Sequence, residues 1–77
     1  MIRLLDIWAM LDQCAPGHAR KKGKHHWIVT FQERTYHSLP LGPHGRRVNP
    51  EIPTGFVRSI VRHLRIEDCA RTFLNLS

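Results

Sequence analysis

The chain has 77 residues, 42% of them hydrophobic, which suits one domain with one modest core and excludes both wholesale disorder and a deep, multi-layered active site. Twelve Lys and Arg against six Asp and Glu give a net charge of +6, so a polyanion is the first partner to expect, nucleic acid before an anionic membrane surface. No apolar run approaches the ~20 residues of a membrane span, and Asp6 falls where a secretory leader would stay apolar, so the expected location is cytoplasmic, with no membrane partner.

Residues 2–14 predict a helix whose apolar face is Leu4, Ile7, Trp8, Leu11 and Cys14, ended by Ala15-Pro16-Gly17. Residues 18–22 are short and basic and predict an edge strand. Residues 26–32, with Trp27-Ile28-Val29-Thr30-Phe31, have the clearest strand composition. Gln32-Glu33-Arg34 predicts a turn without the Asn-Gly or Asp-Gly pair typical of hairpins. Thr35 to Leu41 then returns, with Tyr36, Ser38 and Pro40 expected on one side and His37, Leu39 and Leu41 on the other. Three prolines and two glycines make 42–53 a loop.

Thr54 is a suitable N-cap for a helix over 55–64, with Val57, Ile60, Val61 and Leu64 inward and Arg58, Arg62 and Arg65 in a basic stripe outside. A last helix over 66–75 is expected to pack Ile66, Cys69, Ala70 and Phe73 inward and to pair Glu67 with Arg71. The two cysteines include no CxxC and make no disulfide framework, so both are expected as free thiols in the core. Together the elements predict an α+β, two-layer domain: a three-stranded antiparallel sheet with helices on one face.

One stretch concentrates the chemistry. Arg20-Lys21-Lys22-Gly23-Lys24 carries four cations in five positions, and His25-His26 follow directly before the strong strand. Lysines attract phosphates, and histidine is the side chain best suited to move a proton near neutral pH. Ten of the twelve Lys and Arg fall between positions 18 and 65, opposed there only by Glu33 and Glu51. A solvated, solubilising surface is the plain alternative to an RNA-binding one. Trp27, Phe31 and Tyr36 serve equally well as core or as base-stacking platforms. The six histidines lack the spacing of a zinc site with paired cysteines, so no metal and no cofactor are expected.

The ordered set of Gly23-Lys24-His25-His26, then Gly42-Pro43-His44-Gly45, then Glu51-Ile52-Pro53-Thr54-Gly55-Phe56-Val57-Arg58-Ser59-Ile60-Val61-Arg62 resembles the HicA toxin family, also called YcfA-like proteins. The resemblance spans nearly the whole chain. It implies a fold like a double-stranded-RNA-binding domain, α-β-β-β-α with a short extra C-terminal helix. It implies a toxin of a type II toxin–antitoxin system that cleaves mRNA and stops translation, neutralised by a HicB-type antitoxin covering the active histidine. The family's catalytic histidine follows the glycine before the central strand. Members with Gly-Ser-His align it with His25, and those with Asn there align it with His26. The chain departs from the family in Lys24 where serine is usual, in the hairpin turn, and in a loop extended by Arg46-Arg47-Val48.

Metal-free RNA cleavage needs a base to take the 2′-OH proton, attack of that oxygen on phosphorus, and an acid to protonate the leaving 5′ oxygen. His25 or His26 is the candidate base. Lys22 and Lys24 are candidates to stabilise charge on the phosphorane. His44 and His37 are candidates for the acid, and His18 and His63 are read as surface residues. Lys21, Lys22, Lys24, Arg58 and Arg62 are the candidate RNA contacts. The rival expectations are a non-catalytic RNA-binding module of the same fold and an inactive, toxin-derived protein that only binds a partner.

Overall fold

The computed structural model describes residues 1–40 and 49–75. The expected loop segment around His44, with Arg46 and Arg47, and the end of the return strand at Leu41 lie outside the described residues. The elements are β1 (Ile2–Arg3), α1 (Leu4–Cys14), β2 (Ala19–Lys22), β3 (His26–Phe31), β4 (Arg34–Pro40), β5 (Glu51–Ile52), α2 (Thr54–His63) and α3 (Glu67–Leu74). The architecture is α+β: a three-stranded antiparallel sheet in the order β2-β3-β4 and three helices.

The helices and one sheet face share a single core. Leu4, Ile7, Met10 and Leu11 of α1 meet Val29, Tyr36 and Leu39 of the sheet, together with Val57, Ile60 and Val61 of α2. Each fully buried aliphatic side chain of this kind contributes roughly 1.5–3 kcal/mol. Val57, Ile60, Val61 and Leu64 face inward as their spacing predicts, and Arg58, Arg62 and Arg65 are exposed.

The first helix starts two residues later than expected. Ile2 and Arg3 pair antiparallel with Ile52 and Glu51, so part of the expected 42–53 loop is a short strand. Asn49 explains where α1 begins: its side-chain oxygen accepts a hydrogen bond from the Leu5 N–H at 2.8 Å, and the Pro50 carbonyl accepts from Leu4 N–H at 2.9 Å. These are orphan donors of the first turn, satisfied here from across the chain rather than by a local cap. At α2 the helix begins at Thr54 itself after Pro53, and no side chain caps it.

The expected face alternation of β4 fails at its centre. Trp27 pairs with Leu39 but Val29 pairs with Tyr36, so His37 and Ser38 together oppose Ile28. This β-bulge inserts one residue, and Tyr36 and Leu39 are therefore buried on the same face instead of on opposite ones. The turn from β3 to β4 has two residues, Gln32 (φ 48°) and Glu33 (φ 68°), both left-handed. That is the backbone a two-residue hairpin demands, carried here by residues that do not favour it.

At the C-terminal end, Ala70 is buried, but Phe73 is 45% exposed and Cys69 is also exposed, contrary to the expected packing. Arg71 reaches Asp68 at 3.9 Å instead of Glu67. The cysteines are not free thiols: Cys14 at the end of α1 and Cys69 in α3 are joined in a disulfide, with Cα atoms 5.6 Å apart. Two residues 55 apart in sequence carry no local signal of their pairing.

Candidate nucleic-acid interface

The basic stretch and the two histidines form the β2–β3 hairpin. Lys22 pairs with Trp27, and the Gly23 N–H donates to the His26 carbonyl at 2.8 Å, which leaves Lys24 and His25 at the tip. A β-carbon on Gly23 would stand 2.7 Å from that carbonyl oxygen, so only glycine fits this approach. As the expected strand over 26–32 implies, His25 precedes the strand in the turn and His26 opens β3. Both are exposed, and no hydrogen bond to either imidazole is present among the described residues.

All four residues of β2 are exposed along an open sheet edge. Successive side chains alternate between faces. Lys21, opposite Ile28, shares the outer face with His26 and Thr30, where Thr30 and Thr35 hydroxyls lie 3.3 Å apart across the strands. Arg20 and Lys22, opposite Val29 and Trp27, lie on the helix side. Arg20 is held there: its guanidinium sits 4.6 Å from the centre of the Trp8 ring and 3.9 Å from Asp12. Trp8 in turn meets Trp27 edge-on at 5.0 Å. These aromatics are half-buried struts under the basic edge rather than an open stacking platform. Lysines on an edge strand also keep it from pairing with another chain, which is the structural role the same residues would fill without RNA.

The arginine stripe stands elsewhere. α2 packs on β4, the opposite edge of the sheet from β2, so Arg58 and Arg62 do not share a surface with Lys21 and Lys22. The hairpin carries Lys21, Lys22, Lys24, His25 and His26, with Lys21 and His26 on its outer face and Lys22 on the helix side, and the arginines form a second basic surface. Arg62 and Arg65 line a cleft that also contains the disulfide.

Among the other histidines, His18 is half-buried and donates from Nδ1 to the Ala15 carbonyl at 2.8 Å, closing the end of α1. His63 packs its ring 5.8 Å from that of Tyr36. His37 is exposed in the bulge beside β3. Among the described residues no cluster of three or more His, Cys, Asp or Glu has metal-binding geometry. No helix among them is long and apolar enough to cross a membrane. The bulge, the disulfide, the β1–β5 pair and the Asn49 cap of α1 are features the residue pattern did not announce. Set against protein-family models, curated proteins and solved structures, the chain has no significant match in any of the three.

Proposed function

We propose that the chain is a metal-independent, histidine-dependent endoribonuclease of the HicA type, with a fold like a double-stranded-RNA-binding domain, working in the cytoplasm against mRNA and held in check by a HicB-type antitoxin. The observation that carries this reading is the β2–β3 hairpin: a tight turn sets Lys24 and His25 at its tip, with Lys21, Lys22 and His26 beside it, all exposed. In this reading the lysines draw a phosphate to the hairpin and an imidazole at its tip acts on the neighbouring 2′-OH. Apart from the short β1–β5 pair, the order α1, three strands, α2 and α3 is compatible with the resemblance read from the sequence.

In this reading His25 takes the 2′-OH proton, and Lys24 with Lys22 stabilises the charge that develops on the phosphorane. His37, set in the bulge of the neighbouring strand, remains a candidate for the acid. Induced expression of the wild type is expected to arrest growth with loss of mRNA, and His25→Ala is expected to abolish both. Arrest that persists in His25→Ala and disappears in His26→Ala moves the role by one residue. No arrest and intact mRNA from folded wild type rejects the nuclease reading.

The non-catalytic RNA-binding reading has one observation in its favour: among the described residues no side chain orients either imidazole, whereas general bases are usually held by a partner. Tight RNA binding without cleavage is its signature. Tight binding of a protein partner without either belongs to the inactive, toxin-derived alternative.

A further inference from the structure

The Cys14–Cys69 disulfide lines an open cleft and joins an exposed residue, Cys69, to a half-buried one, Cys14, packed against the core. The cleft is lined by Arg62, Arg65 and Arg71, with Glu67 and Asp68 as its acids. Asp68 is taken up by Arg71 at 3.9 Å, and among the described residues no acid pairs with Arg62 or Arg65.

Arg65 adds an independent sign. It occupies the left-handed position after α2, at φ 58°. There the Ile66 N–H donates to the Val61 carbonyl at 3.0 Å and the Arg65 N–H donates to the Arg62 carbonyl at 3.2 Å. This is the helix-ending motif that strongly favours glycine at that position. A guanidinium is present at the rim of the cleft where the backbone alone would select no side chain. Local rules broken in this way concentrate at functional sites.

We propose that this cleft is a thiol–disulfide exchange site whose reactant is a small thiol carrying carboxylates, drawn in by Arg62 and Arg65. The incoming thiolate attacks Sγ of Cys69, the Cys69–Cys14 bond breaks, and Cys14 departs as a thiolate that takes a proton from solvent. A mixed disulfide between Cys69 and the small thiol is left. A second thiolate attacks the small-thiol sulfur of that adduct, which frees Cys69 as a thiolate and releases the oxidised small-thiol dimer. Two electrons pass from two thiols to the protein disulfide. Since α3 is tied to α1 by this bond, exchange loosens α3 and the arginine-lined cleft beside it. The proposal stands apart from the chemistry assigned to the histidine hairpin.

The test uses the full chain and reduced glutathione, with uncharged 2-mercaptoethanol as the comparison at equal thiolate concentration. Rapid acid quench and peptide mass analysis are expected to find glutathione on Cys69 and not on Cys14. The advantage of glutathione over 2-mercaptoethanol is expected to shrink roughly threefold in Arg62→Gln/Arg65→Gln and in high salt. Cys14→Ser, folded by circular dichroism, is expected to be modified by oxidised glutathione at Cys69. Should that variant not fold, the wild-type kinetics decide alone. Adduct on Cys14, a disulfide inert to both thiols, or a glutathione rate indifferent to the arginines and to salt overturns the proposal.

Discussion

A β-carbon at position 23 has nowhere to go, because the His26 carbonyl oxygen is 2.7 Å away. Gly23→Ala is therefore expected to cost about 1–3 kcal/mol, read from urea denaturation. By displacing the hairpin tip, and His25 with it, the substitution should also lower RNA cleavage. Position 65 predicts the opposite sign. Arg65→Gly relieves a left-handed residue at the end of α2 and should stabilise the protein by about 1 kcal/mol, at the expense of charge in the disulfide cleft. The glycine between the lysines and the histidines was legible in the sequence as a break in the basic run. That its N–H closes the turn onto the His26 carbonyl was not, because strand composition beyond it says nothing about which backbone groups meet across the turn.

Among the elements, hydrophobic spacing reported α1, β3, β4 and α2 to within two residues, since each buries one face against a single core. What it could not report are features set by partners far along the chain. The bulge in β4 appears only when β3 is laid beside it. Likewise α1 is capped by Asn49, 44 residues away from the Leu5 N–H it accepts. Asn49→Ala is expected to cost about 1 kcal/mol in thermal or urea unfolding, by leaving the Leu5 N–H at the helix start without its acceptor. The β3–β4 turn places Gln32 and Glu33 in left-handed backbone. Replacing them with Asn-Gly should raise stability by about 1 kcal/mol without altering cleavage, since the turn lies at the other end of β3 from His26. The disulfide closes a long loop, and reducing it should cost about 2–4 kcal/mol, seen as a lower midpoint in thiol-containing buffer.

On the scale of the whole molecule, the positive charge is divided between two edges of one sheet. The lysines and histidines stand at β2 and the hairpin tip, and the arginine stripe stands on α2 beside β4. The net charge of +6 pointed to a polyanion but could not show this division, which depends on strand order. Under the proposed function, the lysine edge is where RNA is expected to bind first. If Lys21, Lys22 and Lys24 each meet a phosphate, replacing all three with Ala should flatten the slope of log affinity against log salt by about 2 for single-stranded RNA. The most direct measurement is single-turnover cleavage of RNA by the purified protein in a metal chelator, wild type beside His25→Ala, with the new ends identified. The account predicts cleavage by the wild type leaving a 2′,3′-cyclic phosphate, and a loss of ~10²–10⁴-fold in the variant. Cleavage at the wild-type rate in both His25→Ala and His26→Ala, or no cleavage by folded wild type, would contradict it.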